Sequence, residues 1–138
     1  MTEIIAKHSG KMAFESIIEG HSIKIDADAA FGGEDLGPTP KPLLLVSLAG
    51  CTGMDVVSLL KKMRVEYSDF EVKIDGHVTD EHPKYYDKIH ITYSLKTNEI
   101  FHDKVTKSVT LSQERYCGVS YMLSKSSTLT HSIEFSEL

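Results

Sequence analysis

Arginine is almost missing from this chain: among 138 residues only Arg64 and Arg115 occur, and the net charge is −5. Affinity for nucleic acid comes mainly from clustered Lys and Arg releasing counterions from phosphates, so nucleic acid is not expected as a partner. Cysteine is equally scarce. Cys51 and Cys117 are too few for a disulfide scaffold and lack the close CxxC spacing of a redox or zinc motif, so if they act together the fold must bring them together. Long apolar runs are also missing. The longest, Leu43 to Val46, is broken at Ser47 and followed by Asp55, short of the roughly 20 apolar residues that span a bilayer. The start, Met1 to His8, has no basic segment leading into an apolar run and reads as no signal peptide. These absences predict a soluble, cytoplasmic protein without a membrane partner.

No GxSxG elbow, phosphate-binding glycine loop or dinucleotide fingerprint occurs, and Gly32-Gly33 alone carries no weight. The histidines at 8, 21, 77, 82, 90, 102 and 131 are scattered without the i,i+4 pairing that sets two ligands on one helix face, which disfavours a zinc site built with the cysteines. His131 reads as a packed core histidine. No metal and no organic cofactor are expected.

An apolar content of 41% in 138 residues suits one compact domain over residues 1–138, with a core that could be shared with a partner. Ile4-Ile5, Phe14 to Ile18 and Ile23 to Ala27 read as a short β-meander turning at Glu19-Gly20-His21. Gly32-Gly33, Gly37-Pro38 and Pro40 mark a loop over 28–40. From Thr39 to Arg64 the spacing predicts a long helix. Its first half, Leu43 to Leu48, is apolar on every face, as in a helix surrounded by protein, and its second half ends in Lys61, Lys62 and Arg64, cations suited to a helix C-terminus. Val72, Ile74 and Val78, then Ile89, Ile91, Tyr93 and Leu95, alternate as two strands of a hairpin. A second helical region starts near His102, turns Val105, Val109 and Tyr116 to the core, breaks at Cys117-Gly118 and resumes through Val119, Met122 and Leu123. A last strand, Thr130 to Phe135, places His131, Ile133 and Phe135 on one face. The composite is an α+β fold.

Cys51 falls in the apolar helix between Gly50 and Gly53, whose small size opens an approach to the sulfur or serves close helix packing. On spacing alone either cysteine could be a small buried hydrophobe.

The run Gly37-Pro38-Thr39-Pro40 through Leu43-Leu44-Leu45-Val46-Ser47-Leu48-Ala49-Gly50-Cys51-Thr52-Gly53-Met54-Asp55-Val56-Val57 resembles the central-helix signature of the OsmC/Ohr family. Glu114-Arg115-Tyr116-Cys117-Gly118-Val119-Ser120 resembles its second-cysteine motif. The resemblance covers nearly the whole chain and implies an OsmC-like α+β fold, with two chains intertwined as a homodimer around long central helices. It also implies a thiol-dependent peroxidase for organic hydroperoxides, with Cys51 as the attacking cysteine, Cys117 as the resolving one, and a cellular dithiol as reductant.

Two features depart from that pattern. The family's peroxidases hold an arginine in an N-terminal region and a glutamate ahead of the first cysteine, whereas this chain has no arginine before Arg64 and reads Pro40-Lys41-Pro42-Leu43 at the matching stretch. Lys41, Glu34 and Arg115 are the candidates to replace the activating pair, and each also reads as an ordinary surface charge. A catalytically weak binding or structural member of the same fold is therefore the alternative to the peroxidase.

Overall fold

The computed structural model describes all 138 residues, which form two compact units, residues 1–44 and 45–138. The first contains an antiparallel meander in the order β1-β2-β3: β1 (Ala6–His8), β2 (Phe14–Ile18) and β3 (His21–Ile25). Ile18 pairs with His21, and the two residues between them, Glu19 and Gly20, both take positive φ, the requirement of a tight hairpin whose turn matches strand twist. Ile4 and Ile5 lie outside β1 and are exposed; the three-residue strand begins one position after the apolar pair.

Beyond β3 the loop folds onto a buried carboxylate. Asp26 accepts the backbone N–H groups of Ala27 (2.8 Å), Glu34 (3.0 Å) and Leu36 (3.2 Å). The Glu34 N–H, with those of Ala27 and Leu36, holds its carboxyl below the ordinary carboxylate range against the opposing effect of burial. Gly33 sits where a Cβ would overlap the carbonyl of Ala27, so only glycine fits that approach.

The long helix α1 (Pro40–Lys62) starts at Pro40, where a missing N–H costs nothing. It stops where Arg64 adopts φ +55 and the N–H groups of Val65 and Arg64 bond back to Leu60 and Lys61, a Schellman closure with arginine where glycine is usual.

In the second unit, β4 (Tyr67–Val78) and β5 (Tyr86–Thr97) form the expected hairpin, with Val72 opposite Tyr93 and Ile74 opposite Ile91. β6 (Thr128–Ser136) lies on the other side of β5 and runs parallel to it. A parallel neighbour needs a long crossover; α2 (His102–Leu111), a single π-helical turn (Ser112–Tyr116) and α3 (Gly118–Leu123) supply it. The core joins Leu48, Val56 and Leu60 of α1, Ile89, Ile91, Tyr93 and Leu95 of β5, Val105 and Val109 of α2, and Cys117.

Four expectations are corrected. By length and mean hydropathy alone α1 could cross a bilayer, because Ser, Thr, Gly and Cys interrupt its apolar residues without adding charge. It is instead the core helix of this unit, through Leu48, Val56 and Leu60. Its apolar residues are not covered all round: Val46 is 64% and Met54 75% exposed. Tyr116 is exposed rather than packed, since the π turn rotates the chain ahead of Cys117. His131 is exposed too.

Candidate active site

Cys51 sits mid-way along α1 and is half-buried, whereas Cys117, at the break between the π turn and α3, is only 3% exposed. Both are free thiols, Cys51 packs against the core cluster that contains Cys117, and the two lie near enough for Cys51 to act on the Cys117 thiol. Burial pushes the Cys117 thiol up, Cys51 adds to that shift, and Ser120 opposes it. The Ser120 N–H donates to Cys117 Sγ at 3.3 Å. Its hydroxyl is buried near the same sulfur but outside hydrogen-bonding geometry, and has no other partner. Such a group is rare in a native fold and costs about 1–3 kcal/mol.

A chain of hydroxyls clamps the two cysteine-bearing segments. Thr52, next to Cys51, lies 2.6 Å from the Tyr93 hydroxyl and 2.7 Å from Ser112 Oγ. Ser112 donates to Asp55 at 2.9 Å, and Gln113 Nε2 donates to Tyr93 at 2.6 Å and to Thr52 at 3.1 Å. The Ser112 carbonyl accepts the N–H of Cys117 at 2.8 Å. A carboxylate only accepts, so the Ser112 proton points to Asp55, the Thr52 proton to Ser112 and the Tyr93 proton to Thr52. Burial pushes the Tyr93 hydroxyl up, and the charges that Cys117 and Asp55 can carry push it further, while Thr52 and Gln113 oppose the shift.

Cys117 lines a pocket of about 460 Å³ with Arg115, Ser120, Tyr121 and His131. His131 reaches it from β6, edge-on to Tyr93 at 6.3 Å between ring centres, which is why solvent reaches a histidine that alternation places on the core face. Of the three candidate activators, Arg115 is at this pocket, exposed, with its guanidinium over the Tyr116 ring at 5.5 Å. Glu34 and Lys41 are exposed residues of the first unit. Gly53 is buried and faces Val72, whereas a Cβ on Gly50 would meet open space, so one glycine serves packing and the other leaves the surface beside Cys51 clear. No cluster of three or more His, Cys, Asp or Glu is placed to hold a metal ion.

Residues 32–132 match the family described as OsmC-like protein. This chain belongs to that family. The OsmC-like protein is 34% identical to Protein YhfA of Escherichia coli strain K12 over 115 residues, 83% of each chain. Its fold is similar to that of a hypothetical protein from Aquifex aeolicus VF5, at 31% identity, TM-score 0.82 and coverage of 99% of this chain and 98% of the other. A structure from Legionella pneumophila of an organic hydroperoxide resistance protein OsmC, described as a predicted redox protein and regulator of sulfide bond formation, shares the fold at 15% identity and TM-score 0.67, covering 97% of this chain and 98% of the other.

The sequence pointed to both cysteines but missed Thr52, Tyr93, Ser112, Gln113 and Ser120. A signal existed for two of them: Thr52 interrupts an apolar helix and Tyr93 an otherwise aliphatic strand face, and buried polar groups call for partners.

Proposed function

We propose that this OsmC-like protein is a thiol-dependent peroxidase for organic hydroperoxides, acting as one domain over residues 1–138 through Cys51 and Cys117. The observation that supports the reading is that two thiols distant in sequence belong to one core cluster and influence each other, with unequal environments: Cys51 half-open, Cys117 buried with its thiol pushed up. An accessible thiolate suits the first attack, and a buried protonated thiol suits a partner that waits for it. The Cys51 thiolate attacks the distal peroxide oxygen, the O–O bond breaks, and the alkoxide leaves as alcohol after taking a proton. Cys51 becomes a sulfenic acid, which Cys117 converts to a disulfide with release of water. A cellular dithiol then returns both thiols, and neither metal nor organic cofactor takes part. The exposed apolar side chains Met54 and Val57, on the helix that carries Cys51, favour an alkyl or aryl peroxide over hydrogen peroxide, since apolar area leaves water on binding.

The working form in this proposal is a cytoplasmic homodimer. Support comes from the exposed apolar residues Leu44, Val46, Met54 and Val57 of α1, the last two lining a shallow concavity of about 550 Å³ with Gly50, Ser58, Lys61 and Phe70; contiguous exposed apolar surface is a mark of an interaction site. Light scattering is expected to report twice the 15.4 kDa chain mass; a monomer removes this part of the proposal.

One observation favours a second reading, a binding protein of weak activity. The groups beside the thiols are hydroxyls, an amide and a carboxylate, and the pocket's Arg115 is turned to Tyr116. One equivalent of cumene hydroperoxide followed by intact mass separates the two. Sulfenic acid or disulfide on the Cys51/Cys117 pair supports the peroxidase; an unchanged mass after prolonged exposure supports the binding protein.

A further inference from the structure

Ser120 is 3% exposed, and its Oγ is the one buried side-chain oxygen or nitrogen in the protein without a hydrogen-bond partner. It lines the pocket that holds Cys117, and the backbone N–H of the same residue already points at the Cys117 sulfur from 3.3 Å. A thiol is a weak acceptor, whereas a thiolate is a strong one that draws charge-assisted donors. The hydroxyl therefore meets no acceptor in hydrogen-bonding geometry in the resting protein, and has a strong acceptor within its influence once Cys117 loses its proton.

We propose that Ser120 is a catalytic donor of the disulfide-forming step, its idle hydroxyl turning to the thiolate that Cys117 becomes as it attacks the oxidised Cys51. The proposal rests on the peroxidase reading above. In the step, the Cys117 S–H proton passes to solvent through the pocket, a Cys117 lone pair forms the S–S bond, and the S–O bond of the Cys51 sulfenic acid breaks. The departing hydroxide takes a proton from solvent and leaves as water; the Cys51 sulfur is reduced and the Cys117 sulfur oxidised. Two donors from one residue, N–H and O–H, then meet the charge where it develops, without reorganisation of the fold.

Other groups near the sulfur set the background of this step. Cys51 on α1 disfavours the thiolate, and Tyr93 on β5 lies within electrostatic reach. Glu114, Arg115 and Tyr116 of the π turn, Tyr121 of α3 and His131 of β6 line the same pocket. None of these is altered by Ser120→Ala, which makes that variant the test.

The variant removes an unpartnered hydroxyl, so its melting temperature is expected to equal or exceed that of the wild type. With one equivalent of cumene hydroperoxide, quenched over time with dimedone and an alkylating agent, sulfenic acid on Cys51 should accumulate in Ser120→Ala and pass to disulfide about tenfold more slowly, as for loss of one charge-assisted hydrogen bond. In a Cys51→Ser background, the pH profile of Cys117 alkylation should move to higher pH when Ser120 becomes Ala. An unmoved profile with disulfide forming at the wild-type rate overturns the proposal, as does a marked loss of stability, which would give the hydroxyl a structural partner. If wild type forms no sulfenic acid at all, the peroxidase reading fails, and the alkylation profile still decides whether Ser120 serves the Cys117 thiolate.

Discussion

Thr52→Val tests the hydroxyl chain that holds the cysteine segments together. The substitution keeps shape and removes one oxygen, the shared partner of Tyr93, Ser112 and Gln113 at 2.6, 2.7 and 3.1 Å. Ser112 keeps Asp55 as acceptor, and Gln113 still donates to Tyr93. What loses its partner is the Tyr93 O–H, on a side chain with no exposed surface, together with one Gln113 N–H. The buried Tyr93 donor at about 1–3 kcal/mol and the half-buried Gln113 donor at about 1 kcal/mol make a loss of about 2–4 kcal/mol. With about 0.3 kcal/mol/K of unfolding entropy for 138 residues, the melting temperature should fall by about 7–13 °C. Thr52→Ser is the control: it retains the hydroxyl, loses one methyl, and should cost about 1 kcal/mol. The assay is thermal and urea unfolding of both thiol-reduced variants, followed by circular dichroism. If Thr52→Val is no less stable than Thr52→Ser, the hydroxyl does not bridge these groups and the clamp argument is refuted.

Arg64→Gly should raise stability by about 1 kcal/mol, because the left-handed position that closes α1 carries a Cβ penalty that glycine lacks; a melt that falls would point to a role for the arginine side chain. Gly33→Ala should unseat the Asp26 loop by pushing against the Ala27 carbonyl, seen as faster proteolysis within residues 28–40. Asp26, its carboxyl held low by the Glu34, Ala27 and Leu36 N–H groups, lends stability that is present above the ordinary carboxylate range and lost as pH falls through its folded value; Asp26→Asn should flatten that acid limb of the melting curve. Cys117 and Tyr93 are shifted the other way, so their contribution is full below the ordinary thiol and phenol ranges and is lost as pH rises through the folded values. Tyr93→Phe should weaken the alkaline limb; an unchanged limb would rule Tyr93 out as its cause.

Periodicity in the sequence located the elements because each is amphipathic or apolar over enough residues to fix its period: α1, the β4–β5 hairpin and α2 lie where their patterns place them. Pairing across the sheet was less legible. Nothing local in Thr128–Ser136 says that it joins β5 in parallel, since that choice depends on the crossover through α2, the π turn and α3. Motifs named the two cysteines, yet periodicity could not have joined them, for each sits in an apolar setting that also describes an inert core thiol.

The polar groups around the pair explain why the rest of the site was hidden. Thr52, Tyr93, Ser112 and Gln113 come from a helix, a strand and a π turn, and each alone looks like packing or surface. Only the tertiary fold turns them into one directional chain, anchored by a carboxylate that fixes every proton along it. That chain spans from the residue after Cys51 to the turn before Cys117, and the Ser112 carbonyl that receives the Cys117 N–H belongs to it. The two cysteine-bearing segments are thus held by hydrogen bonds of defined length as well as by the softer packing of aliphatic side chains. Ser120 stands outside this satisfied network, with the one hydroxyl left over, near the one buried thiol whose charge appears and vanishes in the proposed turnover. A fold that satisfies its other buried side-chain polar atoms and leaves that one open places the exception where the proposed chemistry needs a donor.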